Sequence, residues 1–102
     1  MTESINAWRI DSKGYFIEMQ AGERKDYDLD WTDVLEGRAL AEVVWTIADG
    51  VTKVLAEANQ AITKVWLQAG DGAGSFTASA RITSDGSPSL VVVFRFRVVV
   101  RA

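Results

Sequence analysis

Three aspartates, Asp26, Asp28 and Asp30, alternate along one short stretch of the 102-residue sequence. Residues two apart on a strand share a face, so these carboxylates could together hold a hard cation such as Ca²⁺. Calcium sites draw their ligands mostly from loops and include carbonyl oxygens. A solvated strand face, with Asp30 bonding into the turn that follows, is therefore the favoured reading. An acid–base pair among them would need a buried setting that separates their pKa values, and nothing in the sequence suggests one. The chain contains no histidine and no cysteine. It thus lacks the usual base near neutral pH, the commonest transition-metal ligand, thiolate chemistry and disulfides. The run Gly70-Asp71-Gly72-Ala73-Gly74 looks superficially like a phosphate loop. Such a loop leads into a helix whose N-terminus faces the anion, whereas Ser75 to Thr83 reads as a strand. The run is expected to be a plain connection, and neither catalysis nor a cofactor is expected.

The elements that would position any site are strands. Phe76, Ala78, Ala80 and Ile82 are apolar, and Ser75, Thr77, Ser79, Arg81 and Thr83 between them are polar, the pattern of a half-buried strand. The C-terminal segment repeats it, with Leu90, Val92, Phe94, Phe96, Val98 and Val100 on one face. Asp85-Gly86-Ser87-Pro88 separates the two and predicts a hairpin. Upstream, Tyr27, Leu29 and Trp31 alternate with the three aspartates. Ala39, Ala41, Val43, Trp45 and Ile47 alternate with Leu40, Glu42, Val44 and Thr46, and Val65 and Leu67 with Lys64, Trp66 and Gln68. A short strand is expected around Thr52 to Glu57, although Val51 to Ala61 could also carry a helical stripe. Trp8 to Asp11 and Tyr15 to Met19 could pair across Ser12-Lys13-Gly14. Thr32 to Gly37, with Thr32 as cap and Gly37 as stop, predicts one helical turn. Six to eight short strands with Gly, Asp and Pro turns describe an all-β fold, an immunoglobulin-like antiparallel β-sandwich, with Trp45 as a central packing residue. Residues 1–22 are expected to form an N-terminal arm or extra hairpin, and residues 23–102 the sandwich domain.

Net charge is −3, from 14 acidic and 11 basic residues, which argues against generic nucleic-acid binding. The start, MTESINAWRI, lacks the pattern of a signal peptide. The longest apolar run, Leu90 to Phe94, is far too short to cross a bilayer, so no membrane contact is expected.

Tyr27-Asp28-Leu29-Asp30-Trp31, a Leu35-Glu36-Gly37 turn and Val44-Trp45-Thr46-Ile47-Ala48-Asp49-Gly50-Val51 together resemble the tailed-phage fibre–tail adaptor family. Val65-Trp66-Leu67, the Gly70 to Gly74 loop, the Phe76 to Thr83 strand and the basic, apolar last strand follow in the same order. The resemblance runs from about Lys25 to the end. It departs at Glu23-Arg24-Lys25-Asp26, where members commonly have a proline-containing entry to the first strand, and at Gln68-Ala69-Gly70, where they commonly carry a second glycine after the tryptophan–leucine pair. It implies a small immunoglobulin-like virion protein, assembled in the host cytoplasm. Such a protein would link tail or neck to tail fibres by protein–protein contacts, in multiple copies within a symmetric assembly. A capsid decoration or head–tail connector subunit is the nearest alternative. A carbohydrate-binding or adhesive β-sandwich is the next, with Trp66 and Trp8 as sugar-stacking positions.

Candidate contacts follow from side chains that a solvated strand does not require. Arg81, Arg95, Arg97 and Arg101 form a basic stripe on the outer face of the last hairpin, interleaved with Val91, Val93 and Val99. Arginines can simply keep a strand face soluble, but valines among them suggest a partner. Trp66, opposite Val65 and Leu67, is an interface anchor or packs under a loop. Trp8 is a candidate for an arm that reaches a neighbouring subunit, whereas Trp31 and Trp45 are expected in the core.

Overall fold

A computed structural model of the chain describes residues 8–102; residues 1–7, the start of the expected N-terminal arm, lie outside the described residues. The elements run β1 (Arg9–Asp11), β2 (Gly14–Gln20), β3 (Arg24–Asp30), α1 (Thr32–Leu35), β4 (Leu40–Ile47), β5 (Val51–Asn59), β6 (Ile62–Ala69), β7 (Gly74–Ser84) and β8 (Val91–Arg101). They form a five-stranded sheet in the order β1-β2-β8-β7-β4 and a three-stranded sheet in the order β3-β6-β5. The β-sandwich and its single helical turn match the expected fold class. Within it, β2 pairs with β8 in parallel, with Ile17 opposite Val98.

Alternation decides which side chains meet between the sheets. Ile17 and Met19 of β2, Ala78, Ala80 and Ile82 of β7, and Phe96, Val98 and Val100 of β8 form one wall. Tyr27 of β3, Val51 of β5, and Val65, Leu67 and Ala69 of β6 form the other. Fully burying one such large apolar side chain is worth about 1.5–3 kcal/mol, so these two faces hold the layers together. Trp45 and Trp31 are both buried, as expected. The Trp31 indole N–H is satisfied inside the core by Thr63 Oγ1 at 2.9 Å. The expected N-terminal hairpin is present as β1–β2, with Arg9 opposite Phe16. The stretch that competed for helix, from Val51, is the strand β5, turned by Gln60 at φ 56°.

Three local expectations change. Leu40 faces the core in place of Ala39 and Ala41, because the β4–β7 register shifts between Leu40 and Glu42. Such a bulge inserts one residue and inverts the parity beyond it. Thr32 does not cap α1. Trp31 precedes the helix with no side-chain cap bond, and Thr32, the first helical residue, instead donates its N–H at 2.9 Å and its hydroxyl at 2.6 Å to Asp30 Oδ1. Asp28 is 3% exposed instead of solvated, and its Oδ1 has no hydrogen-bond partner among the described residues.

Gly50 shows where backbone freedom is required. It sits at φ +108°, and a Cβ placed there would run into the Phe76 ring. Its carbonyl accepts from the Gly70 N–H at 3.0 Å, which ties the β4–β5 turn to the end of β6.

Candidate interaction surface

The outer face of the five-stranded sheet gathers most of the predicted contact residues, and its ladders set their spacing. Arg81 lies opposite Val93, Thr83 opposite Val91, and Ser79 opposite Arg95 on the β7–β8 ladder. On the far side of β8, Phe16 pairs with Arg97, Glu18 with Val99, and Gln20 with Arg101. On the far side of β7, Val44 sits opposite Arg81 and Thr46 opposite Ser79. Arginine and valine therefore form a two-dimensional patch, not a single line.

That patch divides into two halves with different electrostatics. On the β1–β2 side the arginines are internally paired. Arg97 Nη2 donates to Asp11 Oδ1 at 2.6 Å, and its guanidinium lies 5.1 Å from the Phe16 ring centroid. Arg101 pairs with Glu18, whose other oxygen lies 3.6 Å from Arg9. The hydrogen bond from Arg97, with a second from the Lys13 backbone N–H, holds the Asp11 carboxyl below the usual carboxylate range. On the β4–β7 side, Arg81 and Arg95 have no ion-pair partner among the described residues. Beside them Val91 is 55% and Val93 42% exposed. Unpaired guanidinium groups next to exposed valines form the part of this face least suited to water alone.

The remaining candidates lie elsewhere. Trp66 is half-buried on the outer face of the three-stranded sheet, with Asp26 across one ladder and Leu55 across the other. Leu55 is 50% exposed and was not singled out from the sequence. The cause is a bulge between Lys53 and Leu55. Plain period two would place Leu55 on the same face as buried Val51, and only the pairing register reverses it. Lys64 lies 3.5 Å from Asp26 on this face.

Trp8 belongs to the packing between the sheets. Its ring meets Tyr27, Phe94 and Phe96 edge-on, with centroids 6.2, 5.4 and 4.9 Å away. Its indole N–H donates to the Asp28 carbonyl at 2.8 Å. The aspartates of β3 likewise separate into different roles: Asp26 pairs with Lys64, Asp28 is buried, and Asp30 ties down α1. The Thr32 hydroxyl and N–H hold the Asp30 carboxyl below its ordinary range.

Comparison with known proteins gives the surface its context. No protein of curated function matches the chain. Among solved structures, a nucleoside hydrolase-related hypothetical protein from Saccharophagus degradans, associated with carbohydrate metabolism, superposes with a TM-score of 0.53 at 21% identity. The match covers 84% of this chain but only 22% of that one, and at this identity it speaks to the fold alone. A family model described as podophage GP4 fiber-tail adaptor protein gp77 matches residues 19–97, from the end of β2 to the middle of β8. The matched span carries most of the core walls and the Arg81, Val91, Val93, Arg95 and Arg97 part of the Val–Arg face, and with more than half of the sequence aligned the chain belongs to the podophage GP4 fiber-tail adaptor family.

Proposed function

We propose that this protein is a rigid, non-catalytic link between the tail or neck of a phage particle and its tail fibres. In this reading it is assembled in the host cytoplasm and carried into the virion in several copies that follow the particle's symmetry. Family membership makes other tail and fibre proteins its partners. The observation that carries the reading is the unpaired half of the five-stranded sheet. Among the described residues Arg81 and Arg95 lack carboxylate partners there, and Val91 and Val93 stand exposed beside them. Docking would desolvate the valines, while the guanidinium groups, rich in donors, find carboxylates or carbonyls on the neighbour.

The test is co-purification of the chain with the tail and fibre proteins encoded beside it. Wild type should retain one of them, and Val93→Asp should release it without loss of folded structure. A wild-type chain that binds none of these proteins would remove the adaptor reading.

A further inference from the structure

An open groove of about 480 Å³ crosses the outer face of the five-stranded sheet. Thr46, Thr77 and Ser79 line it with small hydroxyl side chains, and Arg95, Arg97 and Lys13 supply cations. The register explains the depression. Thr46, Ser79 and Arg95 form one row across β4, β7 and β8, and Thr77 sits opposite Arg97 in a neighbouring row. Two strands that carry short side chains thus lie beside one that carries long ones.

Among the described residues no carboxylate lines the groove. Arg97 is compensated from outside it by Asp11, which also fixes the guanidinium against Phe16. Lys13 and Arg95 have no ion-pair partner among the described residues. This local positive field belongs to a chain of net charge −3, so it does not follow from overall composition. We infer that the groove seats an extended acidic segment of the neighbouring tail or fibre protein. The Asp or Glu side chains of that segment would meet Arg95 and Lys13, and its backbone would bond the hydroxyls of Thr46, Thr77 and Ser79. Guanidinium and carboxylate match as a fork, and the pre-set Arg97 loses little side-chain freedom on binding. A duplex nucleic acid is a poorer occupant. Duplex affinity comes mainly from neutralising many phosphates, and the groove offers Lys13, Arg95 and an already paired Arg97 on an acidic protein.

The inference rests on the adaptor reading, and its test separates the two. The probe is a fluorescent peptide alternating aspartate and serine, followed by anisotropy against the whole chain at low salt. A lysine–serine peptide and a single-stranded oligonucleotide serve as comparisons. The acidic peptide should bind alone, shift the amide resonances of Thr46, Thr77 and Ser79, and weaken as salt rises. Arg95→Glu and Lys13→Glu, both at exposed positions, should each weaken it roughly tenfold, while Arg24→Glu on the other sheet leaves it unchanged. No binding of the acidic peptide, equal binding of the oligonucleotide, or indifference to Arg95→Glu would overturn the inference. In co-purification, a Lys13→Glu/Arg95→Glu chain that holds its tail or fibre partner as tightly as wild type also overturns it, and leaves the adaptor reading standing. Failure of the wild-type chain to hold any such partner removes the adaptor reading itself.

Discussion

The Trp8 indole N–H donates to the Asp28 carbonyl at 2.8 Å, joining the residue before β1 to the outer edge of β3. Because β3 is the edge of the three-stranded sheet, its outward carbonyls have no ladder partner, and an indole donor satisfies one of them. The same ring packs on Tyr27 from one sheet and on Phe94 and Phe96 from the other. Trp8 therefore bridges both sheets at the aromatic end of the core. Trp8→Ala should cost about 2–4 kcal/mol, somewhat below a fully buried tryptophan because the ring is half-exposed. Trp8→Phe should keep most of the packing and lose about 1 kcal/mol with the hydrogen bond. Denaturant unfolding of the two variants checks the order. Equal stability of Trp8→Ala and wild type would mean that the ring is not part of the core.

Tyr27 is 1% exposed, and its hydroxyl has no hydrogen-bond partner among the described residues. Burial, reinforced by the charges of Glu23 and Asp26, pushes its phenol well above the ordinary tyrosine range. An unsatisfied buried hydroxyl costs free energy, so removing it should not hurt. Tyr27→Phe is expected to unfold at the same temperature as wild type or higher. A drop of several degrees would show that the hydroxyl has a partner after all.

Gly50→Ala combines a backbone at φ +108° with a collision against Phe76. The half-buried ring can move aside in part, but the dihedral cannot be relieved without disturbing the Gly70 contact. A loss of about 1–3 kcal/mol is expected. For a domain this size that corresponds to roughly 4–8 °C in Tm for each kcal/mol. Calorimetry decides it, and an unchanged Tm would contradict the strain.

Asp11 titrates below its ordinary value of 3.8 because the Arg97 guanidinium and the Lys13 N–H favour its charged form. Its folded pKa is lower than its unfolded one. The stabilisation is therefore complete above 3.8 and is lost as the pH falls through the lower folded value. Carboxyl-carbon NMR across the acid range should find Asp11 depressed in wild type and closer to 3.8 in Arg97→Met. Identical titration of the two proteins would mean that the pair does not hold in solution.

Much of this architecture is written in period two. Phe76 to Ile82 and Leu90 to Val100 alternate so cleanly that the β7–β8 ladder could be drawn from the sequence alone, and Trp31 and Trp45 fell on core faces for the same reason. The misses occur where alternation breaks. The bulges at Leu40–Glu42 and Lys53–Leu55 each invert a parity, so Leu40 turned inward and Leu55 outward. A bulge is set by pairing with a distant strand and leaves little trace in local composition. The partition of the Val–Arg face was also hidden. Arg97 and Asp11 are 86 residues apart in sequence, and only the parallel β2–β8 ladder brings them together. Lys13, in the β1–β2 turn, and Thr46, placed beside Ser79 by the antiparallel β4–β7 ladder, reach the groove from outside the last hairpin.

Reconstruction of the phage particle that carries this protein tests its role as an adaptor most directly. Copies of the sandwich should lie between the tail or neck and the fibres, with Arg81, Val91, Val93 and Arg95 facing a neighbouring protein. Copies on the capsid surface, or copies between tail and fibres with that face open to solvent, would contradict it.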